Sequence, residues 1–500
     1  MKNLKRIVAV LVLLLAPAAV PLVANVQQAS AAVDTCTWTG TTNTAWATAT
    51  NWTGCDNGNV PENGDTLVFP QTASNKGMNN NVVGLQPRFV TISGTGYTFG
   101  GNAITVTGAT GGFLASESAT INIGVTFGGT NSNNTVSSGK TLTFAQPTVL
   151  ALSGGMFWAS GGTAQFDGAI TGSAGTMLRA SDAATKVSVS GTGNTYTSTR
   201  VGAEADGIFD CNSVTCFGAA ANIIYMGGGT VNLRSAATYT NPIETSTVTA
   251  FDSWLKAFQD VILSGATTIV DGIGISQAGT GTKTLQFTAA MDISNSSVSF
   301  FGNDSTNSII RVNSVLSGTA GVVSVGTVFL ELTGANTYTG ATTVNTGALV
   351  SAESATALGT NAGATAVLSG GAIVLDAAGA VTNTETISIV GTGIAGSGAI
   401  YSIANNLTKL NGSLFLTGDA LVAQRSSVCT GTPTLQLNGL ISGTGNLSTR
   451  VAVNSCKITI GDTAVVAGGN TFSGSLTHLG GFLELNKDLA APHDAILAPT

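Results

Sequence analysis

Leu332-Thr333-Gly334-Ala335-Asn336-Thr337-Tyr338-Thr339-Gly340, followed by Val344, Gly347 and Leu349, is the stretch on which the fold turns. A second copy reads Ala467-Gly468-Gly469-Asn470-Thr471-Phe472-Ser473-Gly474, then Gly481 and Leu483. Asn336 to Asn470 and Leu349 to Leu483 are both 134 residues apart. Gly193-Asn194-Thr195-Tyr196-Thr197 is a weaker third copy. Each has an upstream companion of related wording: Ile170-Thr171-Gly172-Ser173-Ala174-Gly175, Leu316-Ser317-Gly318-Thr319-Ala320-Gly321 and Ile441-Ser442-Gly443-Thr444-Gly445. Internal repetition of this kind is the signature of stacked architectures. The spacing between copies is not fixed, so the words are landmarks in a looser strand repeat.

Working outward from them, the chain from about Asn81 has one texture. Short alternating runs such as Phe89-Val90-Thr91-Ile92, Thr141-Leu142-Thr143-Phe144 and Ile387-Ser388-Ile389-Val390 are cut by Gly, Asn and Ser. These are strands bounded by turns, with one face turned inward. They are too short and too numerous for one simple sandwich, and no blade motif supports a propeller. The expected fold is all-β: a β-solenoid of stacked parallel strands over 71–500, continuing beyond the chain end. A turn of about 20–25 residues gives a rod on the order of 100 Å. Low charge fits such a stack, because like charges on adjacent turns would lie about 4.8 Å apart. Only 9% of the residues are charged, against about 25% in an ordinary globular protein.

Two segments break the texture. Phe251, Trp254, Leu255, Phe258, Val261 and Ile262 follow helical spacing, with Asp252, Lys256, Gln259 and Asp260 opposite. This predicts a short helix packed on the stack, or an irregular loop, with a binding helix as the sharper alternative. Residues 33–70 carry Trp38, Trp46 and Trp52, bracketed by Cys36 and Cys55. A solenoid must cover its first turn, since an open edge invites strand addition. The segment is expected to be a disulfide-stapled, Trp-rich cap, and a sugar-binding module is its functional rival.

Residues 1–32 read as a secretory signal: Lys2, Lys5 and Arg6, an apolar run from Ile7 to about Leu15, and small residues at Ala29-Ser30-Ala31. Pro17 and Pro21 weaken the rival reading as a membrane anchor. Three of the 18 basic residues lie here, leaving 15 against 25 acidic ones in the mature part. So acidic a chain is not drawn to nucleic acid or to an anionic bilayer. Six cysteines form three sequence-local pairs: Cys36 with Cys55, Cys211 with Cys216, and Cys429 with Cys456. In an exported chain they are disulfide candidates, with neighbours as the simplest pairing. Zinc-site spacing is lacking, and the only histidines, His478 and His493, are remote.

The string from Gly334 through Asn336, Tyr338 and Gly340 to Gly347 and Leu349 resembles the autotransporter-associated β-strand repeat of bacterial passenger domains. The copy through Gly468, Asn470, Phe472, Gly474 and Gly481 is similar to it. The piece Trp38…Trp46…Asn51-Trp52…Pro61…Asp65…Phe69 resembles the start of many such proteins. The resemblance implies a right-handed parallel β-helix, exported and surface-exposed, linked to adhesion or to a cell coat. The six cysteines depart from the family, whose passengers carry few.

Catalysis on a β-helix would need carboxylates, with a Lys or Arg, converging on neighbouring turns. Asp206 and Asp210 near Glu204, or Asp252 and Asp260, are the candidates. Phe301-Gly302-Asn303-Asp304 could form part of a calcium loop, though it reads better as a turn. No nucleotide-binding or hydrolase motif has the required context. The expectation is therefore a secreted or surface-displayed binding or structural protein without a cofactor. Its partners would be cell-surface glycans or other surface proteins, and a polysaccharide lyase or glycoside hydrolase is the alternative.

Overall fold

In a computed structural model, residues 33–108, 112–246, 253–302, 308–376, 382–404, 407–427, 429, 434–461, 470–485 and 495–496 are described. Residues 1–32, read above as a secretory signal, and Gly468, His493, Phe251, Asp252, Asn303 and Asp304 lie outside them. The chain coils into a β-solenoid of about 17 turns. Its strands form parallel sheets along the walls, one of 16 strands and one of five among them. From Thr141 the register steps to Thr163, Lys186, Ile208 and Thr230, so one turn takes 22 or 23 residues. Later turns lengthen: Ile387 pairs with Leu414, and Leu414 with Ile441.

Alternation explains why these residues make strands. In Thr141–Phe144 and Thr163–Phe166, every second side chain is buried. Register then stacks the buried residues into columns. One column runs Leu142, Ala164, Val187, Phe209, Val231, Leu255, Ile275 and Phe300. It continues through Ser324, Val344, Val367, Ile389 and Leu416. All are buried, and only Ser324 is polar. Each such aliphatic or aromatic side chain removed from water contributes about 1.5–3 kcal/mol. A lone turn has no neighbour to bury against.

The repeated words have a structural meaning. The Asn of each copy is buried, and its side-chain carbonyl accepts the backbone N–H that opens the companion word one turn earlier. Asn194 binds the N–H of Ile170 at 2.7 Å, Asn336 that of Leu316 at 2.9 Å and Asn470 that of Ile441 at 3.0 Å. The flanking backbone repeats the same ladder. Thr337 N–H donates to Leu316 and Thr339 N–H to Gly318, just as Thr471 does to Ile441 and Ser473 to Gly443. Tyr196, Tyr338 and Phe472 then drop into the core. The third companion residue, Gly172, Gly318 or Gly443, has φ of 88°, 125° or 112°, a backbone state that disfavours any side chain.

The N-terminal cap holds the one antiparallel strand pair among the named strands, Thr35–Trp38 with Trp52–Thr53, before parallel pairing to Thr66–Phe69 begins. Trp38, Trp46 and Trp52 are buried against Phe69, Tyr97 and Phe99. The Trp52 ring N–H donates to the Trp46 carbonyl at 2.8 Å. Asn51, also buried, accepts the N–H of Thr42 and donates to Asn43 and the Ala45 carbonyl. The disulfide Cys36–Cys55 closes this unit; Cys211–Cys216 and Cys429–Cys456 complete the neighbour pairing.

The helix expected around Trp254 is not formed. Ser253–Ala257 and Val261–Leu263 are strands. Ser253, Leu255, Ala257, Val261 and Leu263 point inward, while Trp254, Lys256, Phe258 and Ile262 stand on the outer side. Apolar residues on both faces imitate the helical spacing. Register with Thr230–Leu233 below and Ile273–Gln277 above decides the period.

Candidate ligand-binding surface

Two adjacent outer columns run up one wall. One carries Lys186, Ile208, Thr230, Trp254, Gly274 and Ser299; the other carries Ser188, Asp210, Asn232, Lys256, Ser276 and Phe301. Asp210 is nearly buried, between Lys186 at 3.3 Å and Arg234 at 3.2 Å, and takes a 2.7 Å hydrogen bond from Asn232. Glu204 pairs with Arg179 across the corner. Asp206 sits in a turn at φ 65°. The acids singled out at 204, 206 and 210 therefore do not converge: two are held by cations and one shapes a turn. Asp260 caps the N–H of Thr284 and faces Lys283. It lies at the edge of an open hollow of about 440 Å³ with Thr238, Ile262, Gln286 and Arg311.

A different set of acids does assemble. Glu353 and Asp376 follow the in-register pair Ala352 and Leu375, one turn apart. Glu331, paired with Arg311, lies beside them, and Arg425 stands over Tyr401 at 5.6 Å. Burial, then the charges of Glu331 and Asp376, hold the Glu353 carboxyl above its ordinary range, although Ser351 donates to it. Tyr401 and Arg425 also border a hollow of about 370 Å³ with Leu349, Ile394, Ser397 and Ile403. The 353-to-376 interval equals one turn, so this pair becomes legible once the turn length is known. Among the described residues, no group of three His, Cys, Asp or Glu could hold a metal ion.

Trp254 is the other feature that the strand reading brings out. Trp38, Trp46, Trp52 and Trp158 are buried, whereas Trp254 is partly exposed on the outer wall. Its ring lies across Gly274 of the next turn, where an added Cβ would meet ring carbons at 2.6 Å. It reaches Phe301 two turns on, with ring centroids 4.9 Å apart and planes 48° apart. The Lys256 ammonium stands 4.9 Å from the Trp254 ring centre, an attractive cation–π distance. A hollow of about 190 Å³ opens there, floored by Gly272, Ile273 and Gly274 and edged by Ser297 and Ser299.

No helix among the described residues is long and apolar enough to cross a membrane. Three disulfides suit a non-reducing compartment. Comparison with protein-family models, with curated proteins and with solved structures gives no match to this chain.

Proposed function

We propose that this chain is exported through its N-terminal leader and works at or outside a bacterial cell surface as an adhesin or coat component. The observation that carries this reading is the long run of stacked turns, whose outer acids at Glu204, Asp210 and Glu331 are engaged by cations of neighbouring turns. Such a wall presents a stiff, repetitive surface to a partner. The disulfides and the resemblance of the Gly334–Leu349 string to passenger-domain repeats support an extracellular setting. Protease shaving of intact source cells tests it. Solenoid peptides released from live cells are the expected result. Recovery only after lysis would overturn the reading, and intact protein in the medium would remove the basis for adhesion.

One observation favours a second reading, a polysaccharide-cleaving enzyme: Glu353 and Asp376 share a face on successive turns with Arg311, Tyr401 and Arg425 near them. A carboxyl that burial holds above its ordinary range, set beside a second acid, is an arrangement that general acid–base chemistry uses. Release of reducing ends from acidic polysaccharides, abolished by Glu353→Gln, would establish it. Absence of release with wild-type protein over a polysaccharide panel would dismiss it.

A further inference from the structure

We infer that the hollow beside Trp254 is a saccharide-binding site, and that it takes a carboxylate-bearing pyranose, such as a uronic acid within a glycan chain. The inference rests on the surface-binding reading and names its ligand class.

Four features carry it. First, the Trp254 ring packs against Gly274 of the next turn, the position at which a Cβ would strike it. A broad aromatic ring fixed in place suits the axial C–H bonds of a sugar ring, which are its apolar side. Second, Phe301 meets Trp254 at an angle and forms a corner with it, so a ring would be held from two directions. Third, Ser297 and Ser299 line the hollow; the Ser299 hydroxyl can donate and accept, and that of Ser297, which accepts the Gly321 N–H, can still donate, as equatorial sugar hydroxyls require. A few placed polar groups around an apolar floor are what small-ligand sites use for orientation.

The fourth feature is charge. Lys256 has no carboxylate partner among the described residues, and Arg234, one turn below, shares the carboxylate of Asp210 with Lys186. Asp271, at the corner before Gly272, is turned to its own loop and accepts the Gly272 N–H. The chain carries 25 acidic residues against 18 basic ones, so a cation with no carboxylate partner among the described residues stands out. Lys256 stands over the Trp254 ring; a sugar carboxylate can draw its flexible ammonium aside into an ion pair and leave the ring face to the pyranose.

Calorimetric titration of the full chain with an oligogalacturonate, and with an uncharged oligogalactan of equal length, tests this. The uronate is expected to bind at least about tenfold more tightly than the neutral chain. Trp254→Ala is expected to weaken it by about tenfold or more. Lys256→Gln should erase the preference for charge, and Gly274→Ala should weaken binding although Trp254 is retained. Unchanged circular dichroism and melting temperature certify each fold. Equal affinity for both sugars, indifference to Trp254→Ala and Gly274→Ala in well-folded variants, or no binding of either sugar would overturn the inference. The titration uses isolated protein, so its failure is separate from a failure of surface display, which shaving reads.

Discussion

Asn336 shows how one polar side chain can tie two turns. Its amide is buried, accepts the N–H of Leu316 and donates to the carbonyl of Ala357, so it spans three levels of the stack. Removing it leaves a buried backbone donor unsatisfied, which costs about 1–3 kcal/mol. Asn336→Ala should therefore lower the unfolding free energy by about that amount in urea titration, whereas a surface Asn→Ala control should be near neutral. Ser324 makes the opposite case. Its hydroxyl is buried inside an apolar column with no hydrogen-bond partner among the described residues, so Ser324→Ala should stabilise by about 1 kcal/mol. Glu385 couples stability to pH. Burial pushes its carboxyl up to about 7, against a 2.8 Å hydrogen bond from Thr365 that lowers it. Between its ordinary value and about 7 the folded chain holds a proton that the unfolded chain has lost. Stability from this group is full on the acid side and falls as pH rises through that window. Melting temperature should drop more between about pH 5 and pH 8 in wild type than in Glu385→Gln.

At the scale of elements, the Trp254 segment teaches the most. Its residues fit a helix by spacing, but a strand there adds hydrogen bonds to the strands on both sides and continues two inner columns. A helix would leave those neighbouring strands unpaired. Leu255→Asp, on the inner face, should cost several kcal/mol by burying a charge, while Lys256→Asp, one residue on, should change the melting temperature little; a helical segment would not alternate so. The cap makes its own prediction. Cys36–Cys55 closes a 19-residue loop, for which chain entropy gives about 3 kcal/mol. Replacing both cysteines by Ser should destabilise by about that much, seen first as loss of protection in amide exchange near Trp38 and Trp52. The strands, the cap and the cysteine pairing were legible in the chain because each rests on local spacing. The face of Trp254 was not, because it depends on register with partners 20 or more residues away.

The whole molecule is a rod. About 17 turns at about 4.8 Å each give roughly 80 Å, somewhat less than the length expected from the shortest turns, because several turns use 27 residues. Small-angle scattering should return a maximum dimension near this value plus the cap. A compact profile would contradict the stack. On such a rod every outer position recurs at a fixed height, so a site is assembled from residues one turn apart: Glu353 with Asp376, or Trp254 with Gly274 and Ser299. Neither grouping is contiguous in the chain, and neither follows from composition.

By itself, the sequence determined that the chain would be all-β, stacked, capped by buried tryptophans and cross-linked by neighbouring cysteines. Alternation, turn residues and short-range pairing are local properties, and the repeated Asn words mark the turn. Tertiary structure alone decided which acids meet, which cations remain without a carboxylate, and which tryptophan faces outward. Those outcomes depend on the number of residues each corner consumes. A change of one residue in a turn moves a side chain from core to surface, and only the folded stack resolves that count.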